Sequence, residues 1–405
     1  MSLTRRTLLA TATAPVLLGR ARAQTVPTLK IGCLTDMSGP YRDLAGPGAI
    51  AALNMALEEY GVAGKGMKVE VLTADHLNKA DVGATVARQW FDRDGVDIIV
   101  EVANSGVALA VAGIAKEKNK VYINTGAATS DLTGSACNAN TIHWVYDTYM
   151  LAKSTGGAMV KAGGDSWFFI TADYAFGKAL QRDTTEFIVG AGGKVVGGVT
   201  YPFPDTKDFS SFLIQAQSSG AKVLGLANAG ADTINSIKQA KEFGITMRLA
   251  GLLLFLTDIH SLGLETAQGI VLTDSFYWDM NDRTRAFSNR FSPHMAGARP
   301  TMVQAGVYSA ILHYLKTASD MGVDKAKLDG AATIARMKQI PTDDDCFGAG
   351  SIRADGRKLH PAYLWEVKKP AESKGPWDYY KPLATTPADQ AFRPIDKGGC
   401  PLVKS

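Results

Sequence analysis

The sequence predicts an α/β fold of two similarly built lobes, each a parallel sheet covered by helices on both faces. Three observations carry this reading. Apolar, strand-length runs alternate with segments of helical period from Leu29 to Phe276, which is the pattern of parallel strands joined by crossover helices. The alternation comes in two successive sets. At 405 residues the chain is long enough for two cores.

In the first set, Leu29–Thr35 reads as a strand, followed by the loop Asp36–Asp43 and a helix over Ala45–Tyr60. Met67–Thr73 is a second strand and Ala80–Asp94 a second helix. Asp97–Val102 is a third strand, the turn Asn104-Ser105-Gly106 opens a third helix, and Val121–Ile123 is a fourth strand. A strand near Ile142–Val145 and a helix from Asp147 to Val160 follow. The second set runs through strands at Trp167–Ile170, Lys194–Tyr201, Lys222–Ala227, Met247–Ala250 and Ile270–Phe276. Its helices lie at Phe176–Val189, Phe209–Ser218 and Ala231–Phe243.

Helices return at Thr284–Met295, Met302–Met321 and Lys327–Lys338, with late strands at Gly350–Arg353 and Tyr363–Val367. Packed back on the first lobe, these helices would take the chain across between lobes more than once, and several crossings make a hinge beneath a cleft that closes. The expected division is 27–146 and 278–345 for lobe 1, and 147–277 and 346–370 for lobe 2. Residues 371–405, rich in Pro, Lys, Ser and aromatics without a period, read as an ordered tail draped over the surface.

Arg5-Arg6, the apolar run Thr7–Gly19 and the A-x-A pattern Ala21-Arg22-Ala23 predict an export signal, residues 1–23, cleaved after Ala23. Thr4–Leu9 also resembles a twin-arginine signal, so both export routes stay open. The expected location is a bacterial periplasm, a compartment that permits disulfides. Cys33 lies in mid-strand and reads as buried. Cys137 and Cys400 lie in loops and are expected to pair, tying the tail to the first lobe, although four cysteines allow three complete pairings.

The stretch from Asp97 to Asn138 is where chemistry concentrates. Two neighbouring strands each end in small hydroxyl-bearing loops, Asn104-Ser105-Gly106 and Asn124–Ser130, beyond the carboxyl ends of a parallel sheet, where ligands of such sheets bind. Unpaired N–H groups at a helix start, with Ser105 and Thr129 as neutral donors, suit a small anion.

The patterns of other chemistry are incomplete in this sequence. A net charge of +4 with no Lys/Arg block excludes a nucleic-acid partner. Gly46–Ala51 fits the dinucleotide glycine pattern only loosely and carries Pro47 where the turn must be tight. Ser219 and Lys222 fit a Ser-x-x-Lys pair without the accompanying Lys-Thr-Gly. The six histidines are scattered singly, and Asp343–Asp345 lacks calcium-loop spacing. No cofactor, metal or catalytic residue is expected.

Leu34–Pro40, Asn104–Gly106, Gly126–Thr129, Asp173–Gly177, Lys207–Ser210 and Ala240–Gly244 together resemble the leucine/isoleucine/valine-binding class of periplasmic substrate-binding proteins. These serve ATP-driven importers of branched-chain amino acids, amides and aromatic acids. The resemblance implies a type I periplasmic binding fold, with two Rossmann-like lobes joined by three crossings. It further implies that Ser105 and Thr129 hold a ligand carboxylate beside Asn104, with a backbone carbonyl near Ala127 contributing. Tyr174 and Phe176 would line the closing face, with Asn228, Ala229 and Gly230 beside them.

One departure bears on the ligand. Amino-acid binders of this class carry a glutamate after the strand that here ends at Ala250, whereas this chain reads Gly251-Leu252-Leu253-Leu254-Phe255-Leu256. A buried ammonium without a counter-charge is costly. The expected ligand is therefore a carboxylate with an apolar or aromatic body, against Leu253, Phe255 and Tyr277, rather than a branched-chain amino acid. The other reading makes the leucines core and lets Asp258 or Asp274 supply the charge. Tyr41, Trp144 and Tyr146 also fall where they would face the cleft. The expected function is that of a monomeric, non-enzymatic solute-binding protein working with an ABC permease. A ligand-sensing subunit and an exported serine hydrolase are the alternatives.

Overall fold

The computed structural model describes residues 26–403, so the expected export signal lies outside the described residues. Thr28–Thr35 (β1), Lys68–Asp75 (β2), Ile98–Glu101 (β3), Val121–Asn124 (β4) and Thr141–His143 (β5) form an all-parallel sheet in the order β2-β1-β3-β4-β5. β3 and β4 are buried at every residue, as strands covered on both faces must be, while the edge strand β2 alternates between half-buried and exposed over much of its length.

The second sheet begins with Ser166–Ala172 (β6), Lys194–Tyr201 (β7), Val223–Ala227 (β8), Arg248–Gly251 (β9) and Val271–Asp274 (β10), all parallel. After a small hairpin of Ser351–Ile352 (β11) and Lys358–Leu359 (β12), the strands Ala362–Val367 (β13) and Tyr380–Thr386 (β14) complete the order β14-β13-β10-β9-β8-β6-β7. β13 runs antiparallel to β10, and β14 antiparallel to β13. The segment expected to drape as a tail without regular structure thus supplies an edge strand. Pro382 obscures it in the sequence, and an edge is where a sheet tolerates proline.

The later helices return to the five-stranded sheet. Met302–Met321 packs along Gly46–Tyr60, with the Tyr60 hydroxyl donating to the Leu315 carbonyl (3.2 Å), and Asn119 bonds Asp329 (3.1 Å). The backbone therefore passes between the halves after β5, after β10 and again before β13, and beyond β14 the tail comes back to the first half at Cys400. The helix expected over Ala80–Asp94 is regular only to Gln89, then widens into a π turn over Trp90–Asp94. Trp90 packs directly on β1, where a β-carbon at Gly32 would stand 2.5 Å from its ring.

Cys137 and Cys400 form a disulfide with Cα atoms 5.5 Å apart, and Cys33 and Cys346 are free and buried. Among the described residues no helix is long and apolar enough to cross a membrane.

Candidate ligand-binding cleft

β3 and β4 bring the two hydroxyl-bearing loops into contact. Asn104 is the N-cap of the helix Ser105–Lys118, and its Oδ1 accepts from the amides of Gly106 (2.9 Å) and Val107 (3.1 Å). Those two amides are therefore not free for an anion, which corrects the expectation of an open helix start. What the junction retains is hydroxyl chemistry. Ser105 Oγ accepts from the Thr129 amide (3.2 Å), and Thr129 Oγ1 accepts from the Asp131 amide (3.3 Å). With both oxygens engaged as acceptors, each hydroxyl has its proton available to a ligand. Both residues are buried.

Between the two halves lies a narrow cavity of about 10 Å³, room for roughly one water molecule. The first half contributes Tyr41, Leu44, Ala103, Gly126, Ala128 and Tyr146; the second contributes Tyr174, Phe176, Ala229, Leu253 and Phe255. No charged side chain lines it. The halves are closed over it by direct bonds. The Tyr41 and Tyr174 hydroxyls meet at 2.5 Å, Tyr174 stacks on Phe203 at 4.3 Å, and the Ala231 amide donates to the Pro40 carbonyl at 3.1 Å. Farther out, Arg182 pairs with Asp131 (3.2 Å) and Ser130 Oγ donates to Asp183 (2.8 Å). Burial, together with the neighbouring hydroxyl of Tyr174, pushes the Tyr41 phenol well above its ordinary range, so it stays a neutral hydrogen-bonding group.

The structure brings Ser105 and Thr129 together at the strand ends, where neither lines the cavity, and places Tyr174, Phe176, Leu253 and Phe255 on the cavity wall. Tyr41 and Tyr146 join them, Tyr146 donating to the Gly126 carbonyl. Other expected positions are elsewhere. The Asn228 side chain bonds Thr233 (2.7 Å) and Ser236 (3.1 Å), fastening the loop after β8 to its own helix rather than facing the cavity. Tyr277 packs against Tyr380 and Trp365, its hydroxyl donating to the Trp377 carbonyl (2.9 Å). The Ala127 carbonyl already accepts from Asn124 Nδ2 (2.7 Å), and it is Gly126 and Ala128 that line the cavity. Trp144 is in the core, donating to Ser309 Oγ (2.8 Å).

Asp258 and Asp274 do not reach the cavity either: their carboxyls bond the amides of Phe255 (3.0 Å) and Phe276 (3.1 Å). Ser219 donates to the Ala216 carbonyl while Lys222 pairs with Asp165 (2.8 Å), so no Ser–Lys pair forms. One buried acid stands outside every expected site position. Glu101, the last residue of β3, is fully buried directly behind Gly126. The signal was present, as a single carboxylate inside the apolar run Asp97–Val102.

A cleft between two α/β lobes joined by three crossings, with a small cavity between them, defines a two-lobed binding protein. A family model described as periplasmic binding protein matches residues 28–376, and the chain belongs to that family. A solved periplasmic binding protein from Burkholderia mallei is 50% identical, covering 93% of this chain and 99% of its own, with a TM-score of 0.90. A branched chain amino acid ABC transporter periplasmic ligand-binding protein from Burkholderia xenovorans is 41% identical over 92% of this chain and 99% of its own, with a TM-score of 0.79. A solute-binding protein from R. palustris, solved in complex with benzoate, is 22% identical over 92% of this chain and 99% of its own. Its TM-score of 0.82 shows the shared fold.

Proposed function

We propose that this periplasmic binding protein captures a small carboxylate with an aromatic or aliphatic body and presents it to the permease of an ABC importer. The observation that carries the reading is the cavity wall, eleven residues without a charged side chain. The apolar body is met by Tyr174, Phe176, Leu253 and Phe255, and the carboxylate is directed past the wall residues Ala103 and Ala128 toward the Ser105 and Thr129 hydroxyls, which follow them closely in the chain but are not part of the wall. The ammonium of an α-amino acid finds no counter-charge on that wall, a deficit of several kcal/mol even after relaxation. Closure excludes water and strengthens the polar contacts, and release follows reopening at a transient contact with the permease. The family is one of exported proteins, which supports a periplasmic site of action.

The test is a thermal-shift screen of aromatic acids, short aliphatic acids and branched-chain amino acids, because a ligand that binds only the native state raises the melting temperature. A shift confined to the amino acids overturns the carboxylate reading.

A further inference from the structure

Glu101 ends β3 in the middle of the first sheet, in register with Leu34 on β1 and Asn124 on β4. It is fully buried, and no hydrogen bond of good geometry reaches either carboxyl oxygen, although the Thr35 hydroxyl and the Val102 and Ala103 amides stand close enough to favour the charged form in part. The backbone there is held against local preference: Glu101 and Val102 take φ values of +81° and +69°, a region disfavoured for side chains and most of all for a β-branched one. Gly126, against which the carboxyl lies, lines the cavity, as does Ala103 two positions along the chain. A β-carbon at Gly126 would lie 2.1 Å from Glu101 Oε1 and 2.8 Å from Ala103 Cα, so the absence of a side chain at Gly126 is what lets the carboxyl stand against the wall.

The groups facing it are Cys33 on β1, Thr35 and Asp36 at its end, Tyr122 on β4, Tyr146 after β5 and the amides of Val102 and Ala103. No cation is among them. Burial without a counter-charge pushes the Glu101 carboxyl up to about 8, so at neutral pH it carries a proton.

We propose that Glu101, held as an uncharged acid behind Gly126, selects the ligand by charge, tolerating a carboxylate at the Ser105–Thr129 junction while protonated and expelling it once ionised. This inference rests on the carboxylate reading above. The physical cause is repulsion between two negative charges in a water-poor cavity, where screening is weak.

The experiment is calorimetric binding of benzoate, with leucine as the amine-bearing comparison, to the wild-type chain and to Glu101→Gln on both sides of pH 8. The carboxyl 13C titration of Glu101 in the ligand-free wild type accompanies it. In the wild type, benzoate affinity is flat below the carboxyl's midpoint and falls by up to about tenfold per pH unit above it, while Glu101→Gln stays flat throughout. The same fall in both proteins, or no fall in either, overturns the role of Glu101 and leaves the carboxylate reading standing. Leucine bound by the wild type and lost in Glu101→Gln overturns both, because the acid is then the counter-charge of an ammonium. If neither compound binds, the carboxylate reading fails for these probes and the 13C midpoint decides the rest. A midpoint near 8 supports the uncharged acid, and one in the ordinary carboxylate range overturns it. That measurement needs no variant.

Discussion

Replacing Thr129 by valine removes one hydroxyl and keeps the branched shape of the side chain. The cost to the fold is small. Thr129 Oγ1 accepts a single amide, from Asp131, at 3.3 Å, and the net value of such a bond is about 0.5–1.5 kcal/mol. The cost to binding is larger, since a hydroxyl donating to a carboxylate makes a charge-assisted bond. Its loss removes about 1.5–3 kcal/mol, roughly a ten- to 150-fold rise in Kd. Titration calorimetry with the acid found by screening, beside a thermal melt of the ligand-free protein, separates the two effects. Ser105→Ala behaves differently, because it also strips the buried Thr129 amide of its acceptor at 3.2 Å and so lowers stability together with affinity. An unchanged Kd in Thr129→Val refutes the assignment of that hydroxyl to the ligand.

Tyr41→Phe leaves the Tyr174 hydroxyl without its partner across the cleft, destabilises the closed form by about 1 kcal/mol and weakens ligand binding several-fold. Small-angle scattering of the variant shows a more open average shape, and an unaltered profile with unaltered affinity counts against closure through this bond. Burial raises the carboxyls of Asp258 to about 7 and Asp274 to about 8. Raised acids hold their proton in the folded chain while the unfolded chain releases it. Stability is therefore fully present below the ordinary aspartate range and declines as pH climbs toward 8, by up to about 1.4 kcal/mol per pH unit per group. Calorimetric melts of Asp274→Asn show a flatter decline than the wild type; parallel curves refute the assignment. Cys400→Ser removes the disulfide and lowers stability by about 2–5 kcal/mol. A reducing agent should lower the wild-type melting temperature to the variant's and leave the variant unmoved.

Much of this molecule is written in local pattern. The alternation of strand and helix places the loops after β3 and β4 side by side, so the neighbourhood of Ser105 and Thr129 follows from periodicity, while the bond between them does not. Leu253 and Phe255 were legible as lining from the missing acid in Gly251–Leu256. Destinations of hydrogen bonds were not legible. Asn228 and Asn104 carry ligand-binding residue types, but their side chains serve their own helices, and only coordinates show which amide or hydroxyl each one reaches. Tyr277 was misplaced because β14, hidden by Pro382, supplies the aromatic neighbours that draw it away. Glu101 is not legible as a site residue because a single acid in an apolar run does not disrupt the period that marks a strand.

The bond between Cys137 and Cys400 spans 263 positions, and β5 through β14 lie inside the ring it closes. The second sheet and the returning helices are thus threaded into a covalent circle fixed at both ends to one half of the molecule. A protease that nicks a surface loop anywhere in that circle leaves a single covalently linked molecule, which separates into two fragments only when the sulfurs are reduced. A protein built this way survives isolated backbone cuts without shedding a piece.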